Sequence, residues 1–232
     1  MQINLFCIPH AGGSAYAYTR WNQYLNSKIH LIPVELSGRG RRMREPLYNS
    51  FYEAVEDIIN SIKMKLYESQ YVIFGHSMGS TLAYELLCEI LSEGLPLPKH
   101  TIFSGRHPPI YNDLFDKIHN LPIEDFKKEI IELGGTTNDI FSNKELCDMF
   151  LPIMRSDYKM LENYSYAREG LRLPIDISVF MGSMDNPEHH SKMDEWRNFT
   201  EKSFNLYEFE GTHFFIFEKE KEVVNTINKI CV

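Results

Sequence analysis

The sequence predicts an α/β protein with a mostly parallel β-sheet, flanked by helices and interrupted by an inserted helical segment. Short apolar runs rich in β-branched and aromatic residues recur along the chain. Most of the segments between these runs carry apolar side chains at helical spacing. Alternation of strands and helices is typical of βαβ units, whose strands are parallel. The unequal spacing of the strands predicts the insertion.

Six segments are predicted as strands because each is short, apolar and rich in β-branched or aromatic side chains. They are Asn4–Ile8, His30–Val34, Tyr71–Phe74, Thr101–Ser104, Ile175–Phe180 and Asn205–Phe209. A helical face is predicted between the second and third strands. It comprises Tyr52, Val55, Ile58, Ile59, Ile62 and Leu66. A second helical face follows the third strand and comprises Leu82, Leu86, Leu87, Ile90 and Leu91.

The connection between the fourth and fifth strands is about seventy residues long, whereas a βαβ crossover needs only a dozen or more. Two helical stretches are predicted within it, one that begins after Pro122 and one from Lys144 towards Tyr164. Helices without a strand at this place predict a lid over the carboxyl edge of the sheet, and we assign residues 106–164 to it. The alternative, that these helices only thicken the helical layer, stays open.

Composition and charge exclude several functional classes. The 232 residues carry 24 Lys and Arg against 32 Asp and Glu, which gives a net charge of −8. A nucleic-acid-binding protein needs a basic surface, so we expect no nucleic-acid partner. No apolar run approaches the ~20 residues that span a bilayer, and the N-terminus lacks the cationic region of a signal peptide, so we expect no membrane partner. Residues 1–232 show no linker or repeat and are expected to form one domain.

The cysteine pattern indicates free thiols in a reducing cytoplasm. The four cysteines are Cys7, Cys88, Cys147 and Cys231, which are far apart and form no CxxC pair. A metal site built from Asp185, Glu188, His189 and His190 lacks a recognisable ligand spacing. We therefore expect neither a metal nor a cofactor.

The most informative motif is Gly75–Gly79, a GxSxG sequence between a predicted strand and a predicted helix. In this context the serine occupies a strained turn that lifts its hydroxyl clear of the sheet. The glycines are needed because side chains beside the serine would collide with neighbouring backbone. Ser77 is therefore the candidate nucleophile.

A serine hydroxyl needs a base that takes its proton, and the base needs an acid that orients it. Asp185 follows the fifth predicted strand, and His213 follows the sixth. Both therefore lie in loops at the same sheet edge as Ser77. The order Ser, Asp, His along the chain is the order of α/β-hydrolases. These three residues are the predicted catalytic triad of an α/β-hydrolase fold.

Acyl transfer also needs N–H donors for the oxyanion of the tetrahedral intermediate. The backbone N–H of Met78, which follows the candidate nucleophile, is one predicted donor. The loop Pro9–Ala15 after the first strand is rich in small residues, and the N–H of Ala11 is the predicted second donor. His10 in this loop is expected to orient the turn or to pack against the serine motif.

Other titratable residues compete for the acid and base roles. His189 and His190 are an alternative source of the base, although a histidine in the final loop is the usual arrangement. Asp176 is expected at the wrong end of its strand. Asp157 lies in the inserted helices, and Asp194 lies in the helix after the acid loop.

The segment Gly38–Pro46 contains the one basic cluster of this acidic sequence. Its arginines could hold a phosphate-bearing substrate or an acidic partner, because guanidinium groups suit phosphate. They could also pair within the protein with Glu35, Glu45 or Glu53. We favour the pairing interpretation, because counting surface charges is weak evidence for a ligand.

Seven segments together carry a family resemblance. They are Pro9–Ala15, Glu35–Gly40, Gly75–Gly79, Arg155–Tyr158, Leu173–Ile175, Gly182–Pro187 and Gly211–Phe215. The chain resembles the type II thioesterases that accompany nonribosomal peptide and polyketide synthases, which are related to the medium-chain thioesterase of fatty-acid synthesis. The GxSxG motif alone is general to α/β-hydrolases, whereas the HAGG loop, the GRG loop and the GxHFF segment together are specific.

The resemblance implies Ser77 as nucleophile, Asp185 as acid, His213 as base, and the Ala11 and Met78 amides as the oxyanion hole. It also implies a substrate, namely an acyl group linked as a thioester to the phosphopantetheine arm of a carrier protein and removed when it is stalled or aberrant. The carrier protein is the expected partner. A monomer is expected, because it is the simpler state for a protein that visits many carriers.

Three alternative functions stay open on the sequence alone. The chain could be a medium-chain acyl-carrier-protein thioesterase of the fatty-acid type. It could be an acyltransferase or esterase that acts on free small molecules with the same triad. It could also be an interaction module that keeps the fold without activity, although a complete triad argues against this.

Overall fold

The computed structural model describes residues 2–114, 117–134, 141–186 and 190–232. Six strands form one sheet, and each neighbouring pair is parallel. The strands are β1 (Ile3–Ile8), β2 (Ile29–Pro33), β3 (Gln70–His76), β4 (His100–Ser104), β5 (Asp176–Gly182) and β6 (Phe204–Phe209). Their spatial order is β2-β1-β3-β4-β5-β6. All six predicted strands are confirmed, with ends shifted by no more than two residues.

Within the described ranges, six α-helices lie in the connections and after the last strand. They are α1 (Phe51–Ile62), α2 (Met78–Ser92), α3 (Ile123–Glu132), α4 (Lys144–Glu162), α5 (Phe215–Glu218) and α6 (Glu220–Cys231). Short 3-10 helices cover Ala15–Gln23, Gly40–Arg42, Lys63–Leu66, Pro109–Leu114 and Met193–Phe199. The predicted apolar face of α1 is buried with one correction, because Tyr52 is exposed. In the described part of the chain, no helix combines the length and the apolar character that crossing a membrane requires.

The sheet has an apolar core on each of its faces. Alternate residues of β3 point to opposite sides, so that Ile73 packs with α1 and α2. Val72 and Phe74 pack with α6 and with the 3-10 helix Ala15–Gln23. Burial on both faces explains why the central strands β1 and β3 form nearly continuous apolar runs in the sequence.

The described residues of the insertion between β4 and β5 add no strand to the sheet, and both predicted helical stretches are confirmed as α3 and α4. A small separate cluster of buried side chains packs these helices together. Its buried members are Ile118, Phe126, Ile130 and Met154. The end of α4 joins the main core through Met160 and Leu161. The assignment of residues 106–164 as a lid stays a prediction, and residues 115–116 and 135–140 lie outside the described part.

Candidate active site

Ser77 lies in the turn between β3 and α2, with φ 53° and ψ −118°. Among the described residues, it is the one residue other than glycine that has a positive φ. Such a conformation costs about 1–3 kcal/mol and persists only when the surroundings impose it. The N–H of Ser77 donates to the carbonyl of Ser104 at 2.8 Å, and the N–H of Ser80 donates to the carbonyl of Ser77 at 2.9 Å. The strained turn is therefore anchored to β4 and to the first turn of α2.

Gly75 and Gly79 let the start of α2 lie directly on the sheet. A Cβ atom at Gly75 would lie 2.1 Å from the carbonyl oxygen of Gly79. A Cβ atom at Gly79 would lie 2.2 Å from the carbonyl oxygen of Ile8. Both contacts involve backbone, which cannot move aside as a flexible side chain can. The predicted steric reason for these glycines is confirmed.

Asp185 follows β5 and His213 follows β6, and the fold brings the two side chains together. Nδ1 of His213 lies 2.8 Å from Oδ2 of Asp185. The second oxygen, Oδ1, accepts the backbone N–H of Asn186 at 2.7 Å. The two side chains are only 11% and 9% exposed. A proton held on Nδ1 by the carboxylate leaves Nε2 of His213 as the acceptor of the ring.

The two loops that carry Asp185 and His213 are hydrogen-bonded to each other. The N–H of Met184 donates to the carbonyl of Gly211 at 2.9 Å. Gly182 permits the close approach, because a Cβ atom there would lie 2.3 Å from the carbonyl oxygen of Thr212. Glu218 in α5 accepts the N–H of Thr212 at 3.1 Å. The Asp185–His213 contact therefore rests on a braced pair of loops.

His76 brings the serine turn beside His213. The centroids of the two imidazole rings lie 5.2 Å apart. Gly105 leaves room for both rings, because a Cβ atom there would lie 2.7 Å from Cε1 of His76 and 3.3 Å from Cε1 of His213. Burial, together with the neighbouring His213, lowers the pKa of His76 well below its ordinary value. His76 is therefore a neutral packing partner whose Nδ1 contacts Oγ of Ser104 at 2.9 Å.

His10 packs into the same group of rings. Its ring centroid lies 5.0 Å from that of Phe214 and 6.0 Å from that of His76. Burial, followed by the nearby His213 and Arg39, lowers the pKa of His10 to about 3. Its position against the serine motif agrees with the packing role expected from the sequence.

The loop after β1 leaves the backbone N–H of Ala11 available as a donor. Its Gly12, Gly13 and Ala15 N–H groups donate to a carboxylate, a backbone carbonyl and a second carboxylate, respectively. The N–H of Ala11 has no acceptor within the described ranges of the chain. Met78 is the first residue of α2. The first N–H groups of a helix have no acceptor inside it, so the N–H of Met78 has none within α2.

The whole architecture matches one protein family. The model of the thioesterase domain family matches residues 3–231. The chain belongs to the thioesterase family. This membership confirms the predicted enzyme class, a serine hydrolase that acts on thioesters.

Individual relatives of this thioesterase cover nearly its whole length. It is 31% identical over 229 residues to the gramicidin S biosynthesis protein GrsT of Aneurinibacillus migulanus, covering 98% of this chain and 88% of that protein. It is 31% identical over 222 residues to the medium-chain S-acyl fatty acid synthase thioesterase of Anas platyrhynchos, covering 94% and 87%. The crystal structure of ClbQ from the colibactin NRPS/PKS pathway superposes with a TM-score of 0.93 at 36% identity, covering 99% and 97% of the two chains. The predicted α/β-hydrolase fold is confirmed.

The structure of this thioesterase gives Asp157 a role that sequence reasoning missed. Its Oδ2 and Oδ1 accept hydrogen bonds from Nη1 and Nη2 of Arg39 at 2.6 and 2.7 Å. The side chains are 3% and 0% exposed. Oδ2 also accepts the N–H of Gly12 at 2.7 Å, and Nη1 also donates to the carbonyl of Gly13 at 3.2 Å. Both Arg155–Tyr158 and the GRG loop were among the family-like segments, which was the available signal.

The pairing interpretation of the basic loop is confirmed for Arg42, whereas the partner of Arg39 is Asp157 and not one of the glutamates expected. Arg42 donates to Glu45, as expected, and also to Asp57, with Nη1 2.6 Å from Oδ2 of Asp57. Arg41 and Arg44 are exposed, and neither has an ion pair among the residues that the structure describes. The loop therefore combines anchored and free arginines.

The competing residues lie in other settings in this thioesterase. Nε2 of His190 contacts Oε2 of Glu208 at 3.0 Å, and both side chains are exposed. Asp176 begins β5 and lies at the opposite end of the strand from Asp185, as expected. Glu188 and His189 lie outside the described residues. Among the residues described, no group of three or more His, Cys, Asp or Glu is arranged to hold a metal ion.

Proposed function

We propose that this thioesterase hydrolyses stalled or aberrant acyl groups from the phosphopantetheine arm of carrier proteins in nonribosomal peptide or polyketide synthesis. The hydrogen-bonded Asp185–His213 pair, at the same sheet edge as the strained Ser77, carries the proposal. The similarity to GrsT and to ClbQ supports this type of pathway.

In the proposed acylation step, His213 takes the proton of the Ser77 hydroxyl as its oxygen attacks the thioester carbonyl. Asp185 stabilises the resulting imidazolium. The N–H groups of Ala11 and Met78 bind the oxyanion of the tetrahedral intermediate. The C–S bond then breaks, His213 returns the proton to the pantetheine sulfur, and an acyl-serine remains.

In the proposed deacylation step, His213 takes a proton from water as the water oxygen attacks the acyl-serine carbonyl. The same two N–H groups bind the second oxyanion. Collapse of this intermediate releases the carboxylic acid and returns the proton to Ser77. We propose that the inserted helices, within residues 106–164, form the lid past which the pantetheine arm enters.

The acyl- or peptidyl-carrier protein is the proposed partner, and the enzyme is proposed to act as a monomer. A cytoplasmic location fits the four cysteines, all of which are free and buried. A medium-chain acyl-carrier-protein thioesterase is the second candidate function. The 31% identity to the Anas platyrhynchos enzyme favours it.

Substrate comparison tests the proposal. We expect the enzyme to hydrolyse short acyl or aminoacyl groups on a carrier protein with a higher kcat/KM than the matching coenzyme A thioesters or p-nitrophenyl esters. Ser77→Ala should reduce turnover to background. A clear preference for decanoyl over short acyl groups on the carrier would favour the medium-chain alternative. Equal rates on simple esters would contradict carrier-protein editing.

A further inference from the structure

We propose that Asp157 of the inserted helix α4 and Arg39 of the loop after β2 are positioning residues that together hold the oxyanion-binding loop. The proposal rests on the proposed function, because it assigns the N–H of Ala11 to oxyanion binding. Neither Arg39 nor Asp157 touches a reacting group in this scheme. They act through the backbone of Gly12 and Gly13.

The loop needs restraint from outside, because two consecutive glycines follow Ala11. Glycine has the greatest backbone freedom of all residues, and Gly12 adopts a φ of +75° that other residues rarely reach. Asp157 holds the N–H of Gly12, and Arg39 holds the carbonyl of Gly13. The Ala11–Gly12 and Gly13–Ser14 peptide groups, one before and one after the two glycines, are thereby held in place.

The hydrogen bonds of the Arg39–Asp157 ion pair suit a positioning role. Each carboxylate oxygen of Asp157 accepts a donor from Arg39, and Oδ2 accepts the Gly12 N–H as well. A buried ion pair with both partners hydrogen-bonded adds little net stability over an apolar pair of the same volume. Separation of the two partners would leave a buried charge uncompensated, which is strongly unfavourable. The pair therefore holds the groups bonded to it in one position.

The contact also links the insertion to the catalytic edge. Asp157 lies in the second half of α4, and the side chain of Met154, one turn earlier, packs against Gly12. A Cβ atom at Gly12 would lie 2.9 Å from Cγ of Met154. The hydrogen bond that holds Gly12 therefore forms only when α4 packs against the oxyanion loop.

Two inhibitors separate positioning from general stability. A trifluoromethyl ketone analogue of octanoyl-pantetheine bonds to Oγ of Ser77, and the Ser77 proton passes to His213 while the ketone oxygen becomes an oxyanion. The matching octyl thioether of pantetheine forms no oxyanion. The ratio of the two dissociation constants therefore reports the oxyanion site, whereas a loss of folded protein lowers both affinities.

Asp157→Asn and Arg39→Lys are the test variants. An amide at position 157 cannot accept all three donors, and a lysine keeps the charge but cannot form the paired contact. Glu85→Gln is the matched control. Glu85 is a buried carboxylate in α2 that accepts Nε of Arg168 at 2.9 Å and the hydroxyl of Tyr164 at 2.6 Å, away from the oxyanion loop.

We expect each test variant to weaken ketone binding about 10- to 100-fold, less than the ~100- to 1000-fold cost of removing an oxyanion donor, because the N–H of Ala11 is displaced and not lost. Thioether binding should change less than about threefold. Glu85→Gln should leave the ratio of the two constants unchanged. An unchanged ratio in Asp157→Asn and in Arg39→Lys would overturn the proposal, and so would an equal change in Glu85→Gln. Wild-type protein that binds the ketone but hydrolyses no carrier-bound acyl group would instead contradict the proposed function.

Discussion

At the scale of single residues, Asp185 uses its two carboxylate oxygens for different partners. Oδ1 accepts a backbone N–H from Asn186, and Oδ2 accepts Nδ1 of His213. The backbone contact fixes the rotation of the carboxylate. The identity of the atom at the Oδ2 position therefore decides which nitrogen of His213 carries the proton.

Asp185→Asn is expected to lower kcat by about 10⁴, as the equivalent change does in serine proteases. The Asn186 N–H will retain the amide oxygen, so the amide NH₂ will face His213 and favour the tautomer with the proton on Nε2. That tautomer cannot accept the proton of Ser77. Steady-state hydrolysis of an acyl-carrier substrate measures the loss.

His190→Ala is the control for that experiment, because His190 pairs with Glu208. We expect its kcat to stay within about twofold of wild type. A His190→Ala loss as large as that of His213→Ala would show that the base has been assigned to the wrong histidine.

The residue pairs differ in how far they could be predicted. Asp185 and His213 were predicted because each directly follows a strand and their order along the chain is typical of α/β-hydrolases. Arg39 and Asp157 are 118 residues apart, and their contact depends on how α4 packs over the first loop. The pairing interpretation expected acidic partners close in sequence, and no local pattern could name a partner in the insertion.

At the scale of elements, α3 is attached to the rest of the protein mainly through α4. Phe126 is fully buried in the small apolar cluster of the insertion. The guanidinium carbon of Arg155 lies 4.5 Å from the centroid of the Phe126 ring. Arg155 also donates to the carbonyls of His119 and Leu121 at 2.6 and 2.8 Å. This cluster is separate from both cores of the sheet.

Phe126→Ala is expected to open α3 locally, because the cluster that holds it has few other members. Hydrogen exchange followed by mass spectrometry should show protection lost in residues 123–132 and retained in β3. Phe103→Ala is the matched control, because the Phe103 ring stacks on Trp196 in the main core with centroids 3.8 Å apart. That variant should lower the free energy of global unfolding by about 3–5 kcal/mol, so the protection of β3 should fall as well.

An equal loss of protection in β3 and α3 of Phe126→Ala would contradict a separately held insertion. The central strands were the most predictable, since they are buried on both faces and are mostly apolar, whereas the edge strands β2 and β6 are partly exposed. Tyr52 was placed on the buried face of α1 from its spacing, but it is exposed. Helical spacing gives the direction of a side chain and not how far the neighbouring elements extend over it.

At the scale of the whole molecule, buried neutral histidines make stability depend on pH. Burial lowers the pKa of His100 to about 4 from an ordinary value of 6.5, and Nε2 of this residue contacts Oγ of Ser178 at 2.8 Å. His10 and His76 are shifted in the same direction. Protonation therefore favours the unfolded chain. The stabilisation is complete above pH 6.5 and is lost as the pH falls towards 4.

Between pH 7 and pH 5, we expect the free energy of unfolding to fall less in His100→Gln than in the wild-type protein. The difference should be about 2 kcal/mol, from the shift of the pKa between the unfolded and folded states. Urea unfolding at both pH values measures this difference. Each protein is compared with itself at the two pH values, so a lower stability of the variant at pH 7 does not affect the result. Identical pH slopes would show that His100 is not a source of acid sensitivity.

The 71 residues from 105 to 175 separate two strands that are neighbours in the sheet, and this spacing sets an order of assembly. Pairing β5 with β4 requires closure of a long loop, which is slow. During synthesis, β1 to β4 emerge first, together with the Ser77 turn and the Ser104 carbonyl that anchors it. Asp185 and His213 follow only with the last two strands. The proposed nucleophile Ser77 is therefore synthesised before its proposed base, and the proposed centre is incomplete until β5 and β6 have joined the sheet.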